Sequence, residues 1–171
     1  MNQHVRSPAV GPRSLDQTPQ KQYGAIPYRF TPDGDLQVLL ITSRDTGRWV
    51  IPKGWPMQWF SPAEAAAQEA FEEAGVEGDI EPKAIGSFEY LKRLKCGRCV
   101  VCQVTVYPLH VRDELADWPE RQQRLRSWVA PQVAADCVEE VGLAALIRAM
   151  GEWLAGADND ETLLRPLWLS S

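Results

Sequence analysis

Three glutamates, Glu69, Glu72 and Glu73, stand within five consecutive positions of the sequence. A helix would place all three on one face, within about 100° of one another. No lysine or arginine lies between Lys53 and Lys83 to balance them, so an ordinary solvated face would leave like charges repelling each other. A divalent cation would remove this repulsion, and carboxylate oxygens at this spacing suit Mg²⁺ or Mn²⁺. The spacing therefore predicts a metal site.

Local signals bound the helix that carries these glutamates at about residues 62 to 74. Ser61 can cap the first free amides, Pro62 suits the first helical position, and Glu64 completes a capping box. Gly75 is a typical helix terminator. Small residues on the opposite face would let the helix pack closely on a sheet. That face carries Ala63, Ala67, Ala70, Phe71 and Ala74.

The other segments predict a mixed sheet with helices packed against it. Residues 23–42 are typical of a hairpin around a Pro-Gly turn, and residues 84–94 and 99–111 are typical of two further strands. Residues 127–130 favour a last strand, after a charged stretch that we expect to be irregular. From Pro131 to Ala155, apolar residues recur at threes and fours and predict a helix.

Length and composition fit one globular domain. The chain has 171 residues, of which 44% are hydrophobic, and a net charge of −5. This length can bury a real core, and the negative charge argues against a general nucleic-acid binder. We expect a domain over residues 21–157, between polar tails at 1–20 and 158–171. Since no apolar run is long enough for a membrane span or a secretory signal, we expect a cytoplasmic protein.

The carboxylate segment resembles the motif of the Nudix hydrolases, G-x5-E-x7-R-E-U-x-E-E-x-G-U, in which U is apolar. This chain has Gly54 in the first position and Q-E-A-F-E-E-A-G-V over residues 68–76. The surrounding strand order is also similar, from about residue 23 to residue 154. The resemblance implies an α/β (α+β) fold, an α/β/α sandwich with a mixed sheet and a catalytic loop–helix–loop.

The resemblance also implies hydrolysis of a phosphoanhydride bond, with Mg²⁺ or Mn²⁺ as cofactor. It assigns Glu69, Glu73 and the carbonyl of Gly54 to the metal, and Glu72 to the base that activates water. Family members divide these roles differently, so an exchange between Glu69 and Glu72 stays open. Such an ion would neutralise phosphate charge and lower the pKa of its bound water.

Some members of the family carry an acidic ligand outside the helix. Glu114 and Glu120 are equal candidates here. Two positions depart from the motif, since Phe60 stands where the family has glutamate and Gln68 where it has arginine. Both opposite charges are lost together, which favours replacement of a supporting pair. The alternative is a weakly active or non-catalytic ligand-binding module.

Within the family, the closest resemblance is to diphosphoinositol-polyphosphate and diadenosine-polyphosphate phosphohydrolases. It rests on W-V-I-P-K-G-W-P before the motif and on L-A-D-W-P-E and R-L-R-S-W-V-A after it. The resemblance implies a small phosphorylated substrate of this class, with an ADP-ribose or nucleotide-sugar pyrophosphatase as the alternative. No nucleic-acid or membrane partner is expected, and the oligomeric state stays open.

Clustered basic side chains could clamp a polyphosphate, although solvated turns are the simpler interpretation. Lys53 is the first candidate because it adjoins Gly54, and Arg126 follows because it lies in an R-x-W string like that of the subgroup. The candidate substrate-binding residues are Lys53, Arg44, Arg48, Lys92, Arg93 and Arg126.

Cys96, Cys99 and Cys102 are spaced C-x2-C-x2-C, but no fourth ligand follows nearby. We therefore expect reduced, buried thiols, with Cys99 and Cys102 on opposite faces of their strand because their offset is odd. Among the tryptophans of the loop, Trp49 is expected to pack against the core, and the role of Trp59 stays open.

Overall fold

The computed structural model describes residues 18–94 and 96–157. Within these residues, eight strands pair into one mixed sheet. The central strand β1 runs parallel to β7 and antiparallel to β2 and β4. The strands are β1 (Gln20–Phe30), β2 (Leu36–Thr42), β3 (Trp49–Val50), β4 (Lys53–Gly54), β5 (Val76–Ile80), β6 (Gly86–Arg93), β7 (Cys99–Glu114) and β8 (Arg126–Val129).

Helices cover the sheet on both faces. The helix α1 (Pro62–Glu69) continues into a π-helical turn (Ala70–Ala74), and the helices α2 (Pro131–Cys137) and α3 (Val141–Ala157) follow near the end of the chain. The core divides into two hydrophobic clusters, one with α1 and one with α2 and α3. Alternate residues of β2 belong to different clusters, so the clusters lie on opposite faces of the sheet. The predicted α/β/α sandwich is confirmed.

The central position of β1 explains its sequence. Residues 24–28 are all buried, because β1 has a neighbour strand on each side and helices on each face. A continuous apolar run is typical of a strand covered on both faces. The predicted hairpin from Tyr23 to Thr42 is confirmed as β1 and β2, and the later predicted strands as β6, β7 and β8.

The predicted helix over residues 62–74 is confirmed in its extent, although its last turn is π-helical. Burial of the alanine face is confirmed for Ala63, Ala70 and Ala74. Ala67 and Phe71 were expected on the same face, but they are half-buried and line a groove beside β5.

The prediction of a single helix from Pro131 to Ala155 is wrong, because the segment forms two helices. The chain leaves the helix at Val138, which is extended (φ −86°, ψ 148°) and forms an isolated bridge with Trp49. A buried, β-branched Val138 and the ion pairs of the next two glutamates with Arg48 hold this break in place. The contact with Trp49 also confirms that this tryptophan packs against the core.

All four cysteines are free thiols, as predicted. The predicted burial of Cys96, Cys99 and Cys102 is correct only for Cys102, since Cys96 and Cys99 are exposed. Cys99 and Cys102 do lie on opposite faces, but at the tip of the β6–β7 hairpin the outer face is not covered. The predicted tails fall outside the described residues except for 18–20, where Gln20 already begins β1. Within the described parts, every helix is too short or too polar to cross a bilayer.

Candidate active site

The capping box at the start of α1 is present as predicted. The Ser61 hydroxyl accepts a hydrogen bond from the Glu64 amide at 3.3 Å, and the Glu64 carboxylate accepts one from the Ser61 amide at 2.7 Å. Together they satisfy two amides at the helix start. The glutamates that could do chemistry lie at the other end, where the helix meets β4.

The Glu69 carboxyl group lies against the backbone of Gly54. A Cβ atom at Gly54 would sit 1.7 Å from Glu69 Oε1, so only glycine leaves room for this side chain. Burial, followed by the negative charges of Glu73, Glu72 and Glu120, raises the pKa of Glu69 to about 7. Glu73, Glu72 and Glu120 therefore lie close enough to Glu69 to oppose its ionisation.

Glu73 is buried, and both of its carboxylate oxygens have partners. The backbone amide of Lys53 donates to Oε2 at 3.0 Å, and the Arg124 guanidinium donates to Oε1. Burial still raises the pKa of Glu73, although the positive charges of Arg124 and Lys53 act in the opposite direction. Each bonded oxygen keeps a second lone pair that another cation can use.

Glu72 is half-exposed, and the amide of Gln68 donates to its Oε1 at 2.7 Å. Gln68 stands where the family motif has arginine, and Phe60 stands where it has glutamate. Both line the same groove of ≈ 340 Å³ between α1 and β5. Their shared location agrees with a joint replacement, which leaves Gln68 free to hold the Glu72 carboxylate.

Residues 115–126, which include most of the stretch expected to be irregular, cap the end of the carboxylate helix. Four consecutive carbonyls, from residue 72 to residue 75, accept hydrogen bonds from this segment. The carbonyls of Glu72, Glu73, Ala74 and Gly75 accept from Glu120 N at 3.1 Å, Trp118 Nε1 at 3.3 Å, Arg126 Nη1 at 2.8 Å and Leu115 N at 2.8 Å, respectively. These bonds satisfy the helix end and bring residue 120 beside residue 72.

The structure separates the two acidic candidates outside the helix. Glu120 lies close enough to contribute to the raised pKa of Glu69, and it accepts a hydrogen bond from Arg124 at 2.5 Å. Glu114 instead contacts Arg29 and Arg126, at 3.0 and 2.8 Å. Of these two carboxylates, only Glu120 joins the helix glutamates.

Three of the basic candidates lie over aromatic rings near Gly54. Lys53 Nζ and Arg48 Cζ are 5.1 Å and 6.0 Å from the centroid of the Tyr90 ring, and Lys92 Nζ is 4.6 Å from that of Trp55. Burial lowers the pKa of Lys53. The structure thus places the cationic groups of Lys53 and Arg48 near the same aromatic ring.

The other basic candidates are placed differently. Arg44 is half-exposed and forms an ion pair with Glu120 at 3.3 Å. Arg93 is exposed and follows Lys92 along β6, so it points to the opposite face of the strand. Arg126 caps the helix end and stacks on the Trp118 ring at 4.0 Å, so its guanidinium is occupied by the protein itself.

The chemistry of the carboxylate donors fits a divalent cation. Oxygen ligands and an excess of negative charge suit Mg²⁺ or Mn²⁺, and the glycine cradle brings Glu69 next to a backbone carbonyl. Among the described residues, however, no three acidic, histidine or cysteine side chains converge at metal-ligand spacing. The partners of Glu73 account for part of this spread.

Comparison with individual known proteins identifies the family of this chain, although no family model matches it. It is 32% identical over 143 residues to Nudix hydrolase 16, mitochondrial, of Arabidopsis thaliana, covering 76% of this chain and 79% of that protein. The chain belongs to the Nudix hydrolase family. This membership makes it a hydrolase and agrees with the motif around Gly54 and residues 68–76.

Two further Nudix proteins extend this comparison. The chain is 34% identical over 102 residues to diphosphoinositol polyphosphate phosphohydrolase 3-beta of Bos taurus, covering 58% of each protein. The crystal structure of a C. elegans Ap4A hydrolase binary complex has the same fold, with a TM-score of 0.60 and 22% identity, covering 80% of this chain and 98% of that one.

Sequence reasoning did not predict the contacts that several residues make around the Nudix motif. Trp118 and Arg124 reach the helix end from a segment more than 40 positions away, and Tyr90 approaches from β6. The R-x-W string drew attention to Arg126, and the R-L-R-S-W-V-A string includes Arg124, but neither predicted that Arg124 would pair with Glu73. Such contacts depend on the sheet order, which local patterns do not specify.

Proposed function

We propose that this Nudix protein hydrolyses a phosphoanhydride bond in a phosphorylated small molecule, with Mg²⁺ or Mn²⁺ as its cofactor. The observation that carries the proposal is the Glu69 carboxyl group in the Gly54 cradle, whose pKa of about 7 reflects burial and three further carboxylates. The cationic groups of Lys53, the residue before Gly54, and of Arg48 lie near the Tyr90 ring.

Glu69, Glu73 and the Gly54 carbonyl would hold the cation, and Glu120 would add a carboxylate from outside the helix. A bound divalent cation supplies neutralisation of phosphate charge and acidification of water. Arg124 and the Lys53 amide orient Glu73 through its two oxygens. Hydrogen bonds of this kind fix the direction in which a ligating carboxylate presents its remaining lone pairs.

Glu72 is the proposed base, because it is half-exposed and therefore open to water. Its carboxylate would accept a proton from the attacking water, while the Gln68 amide holds the other oxygen at 2.7 Å. Lys53, Arg48 and Lys92 would bind the phosphates of the substrate. Arg44, which pairs with Glu120, would bind a phosphate from that side of the site.

The proposed substrates are diphosphoinositol polyphosphates or diadenosine polyphosphates. Support comes from the similarity to a diphosphoinositol polyphosphate phosphohydrolase and from a fold shared with an Ap4A hydrolase. A non-catalytic binding module is the second candidate, because the described carboxylates do not converge at metal-ligand spacing and the motif lacks its usual pair of opposite charges.

The test is a substrate panel with Mg²⁺, read by phosphate release and mass spectrometry. It includes diadenosine polyphosphates, diphosphoinositol phosphates, ADP-ribose and nucleoside triphosphates. We expect Glu72→Gln to lower turnover by about 10²–10⁴-fold with an unchanged fold, the usual loss of a general base. Glu77→Gln, at an exposed position just after the helix, is the control and should turn over like the wild type.

Unchanged turnover in Glu72→Gln would refute its role as the base. If the wild type turned over no compound in the panel but bound one tightly, and Glu72→Gln bound it equally well, the binding module would be the correct function.

A further inference from the structure

Glu140, immediately before α3, has a buried carboxylate oxygen without a hydrogen-bond partner. Its side chain is only 7% exposed, and Oε1 accepts a hydrogen bond from Arg48 Nη1 at 2.7 Å. Within the described residues, Oε2 is buried and has no donor. A buried acceptor left without a donor is destabilising, so such a group calls for an explanation.

The surroundings of Glu140 are cationic. Lys53 lies near enough to Glu140 for their opposite charges to interact. In the described parts of the chain, no carboxylate lies within 4.0 Å of the Lys53 ammonium, which contacts the Tyr90 ring instead. An open donor and an open acceptor thus lie in one neighbourhood.

Neutralising Arg48 does not require Glu140. Arg48 also pairs with Glu139 at 3.2 Å, and that carboxylate is 68% exposed, so its second oxygen can reach water. A second, buried carboxylate among side chains proposed to bind phosphate would repel phosphate. Its presence is explained if it recognises a part of the ligand that donates hydrogen bonds.

We propose that Glu140 is a specificity-determining residue, whose Oε2 accepts a hydrogen bond from a hydroxyl or amino group of the substrate beside a phosphate held by Lys53 and Arg48. This inference rests on the proposed function and narrows its substrate class. It selects phosphoanhydrides whose organic group keeps free donors, such as dinucleoside polyphosphates. Fully phosphorylated polyols are disfavoured, because they present only acceptors and negative charge.

Contact with Oε2 requires a neighbouring side chain to move, since the oxygen is closed to solvent. Side-chain rearrangement at a binding site is common, and the lysine chain is flexible. Lys53 lies near enough to Glu140 for their charges to interact, so a phosphate that draws the Lys53 ammonium toward itself would change the surroundings of Glu140.

The test is equilibrium binding, measured by calorimetry on the full chain in EDTA so that no hydrolysis occurs. The ligands are diadenosine tetraphosphate, which carries donors, and inositol hexakisphosphate, which carries none. Glu140→Gln leaves an oxygen for Arg48 and replaces the open acceptor by a donor. We expect it to weaken binding of the dinucleotide by about tenfold or more and to leave binding of the polyol unchanged or tighter.

Glu139→Gln is the matched control, because it removes the same charge from Arg48 where the carboxylate is exposed. It should change binding of both ligands by the same factor, less than about threefold, as exposed ion pairs contribute little. If Glu140→Gln weakened both ligands equally, or behaved like Glu139→Gln, Glu140 would be only a partner of Arg48 and the proposal would be wrong.

A second arm varies the ligand instead of the protein, in case Glu140→Gln does not fold. Two analogues of diadenosine tetraphosphate are compared with the parent compound, one without the ribose hydroxyls and one without the adenine amino groups. The wild type should bind at least one of them about tenfold more weakly than the parent. If both analogues bound as tightly as the parent, the proposal would be wrong. Because binding is measured without metal, a failure of hydrolysis in the substrate panel leaves this test intact, and the reverse also holds.

Discussion

At the scale of single residues, the ionisation of Glu69 distinguishes this carboxyl group from an ordinary surface glutamate. Its pKa rises from 4.5 to about 7, first because of burial and then because of neighbouring negative charges. In the folded, metal-free protein it therefore binds a proton over a pH range in which the unfolded chain has released it. Folding stability must then fall as pH rises from about 4.5 to 7.

Glu69→Gln should remove this pH dependence. In EDTA at pH 8, we expect the variant to have a free energy of unfolding about 1–2 kcal/mol higher than that of the wild type, because it lacks the carboxylate charge that burial opposes. Water screens the exposed part of this carboxyl group, which keeps the difference small. At pH 4.5 the two proteins should be equally stable. Urea denaturation at both pH values measures the difference, with Glu77→Gln as an exposed control. Parallel pH profiles for wild type and Glu69→Gln would contradict the raised pKa.

At the scale of elements, the carboxylate helix shows what local sequence can and cannot predict. Its start and extent could be predicted, because Ser61, Glu64 and Gly75 act on neighbouring backbone groups. The π-helical turn could not be predicted, since its carbonyls are satisfied by residues 115–126. For the same reason the break at Val138 was missed, because it depends on a partner in β3.

The same limit applies to the candidate site. Spacing placed the glutamates on one helix, and the motif placed Gly54 beside them, so the cradle of Glu69 agrees with the sequence. The sequence could not show that Glu73 pairs with Arg124, because that pair joins segments that are far apart in the chain. Local sequence patterns reflect the backbone preferences of neighbouring residues, whereas ion pairs between distant segments depend on how the sheet packs.

Gly75 joins the helix to the segment that caps it, and replacing it should be costly. Gly75 has φ 65°, and an added Cβ would lie 2.6 Å from Trp118 Cδ2. We expect Gly75→Ala to lower the free energy of unfolding by about 2–4 kcal/mol, because the left-handed backbone and the overlap with Trp118 both contribute. Chemical denaturation of the variant measures this loss.

Gly47→Ala is the matched control for this substitution. Gly47 has nearly the same conformation, φ 68°, but no atom lies within 4 Å of an added Cβ. Its alanine variant should lose only the backbone contribution, about 1–2 kcal/mol. The difference between the two variants therefore reports contact with Trp118, and equal losses would mean that the capping segment does not hold Gly75 in solution.

At the scale of the whole molecule, the site combines elements that are distant in sequence. Gly54 lies in β4, the glutamates lie on α1 and its π-helical turn, and Glu120 belongs to the segment that caps this turn. A cation bound among them would link these elements only in the folded chain. Its binding should therefore appear as added resistance of the entire domain to unfolding.

We expect saturating Mg²⁺ to raise the thermal unfolding midpoint by about 5–10 °C, the shift that about 2.7 kcal/mol of binding energy produces in a chain of this size. Glu120→Gln should lose part of this shift, because Glu120 lies with the helix carboxylates. Glu114→Gln should keep the full shift, even if its own midpoint falls through the loss of contacts with Arg29 and Arg126. Scanning calorimetry with and without Mg²⁺ separates the two effects for each variant. Equal shifts in both variants would remove Glu120 from the cation site, and a loss confined to Glu114→Gln would reverse the assignment.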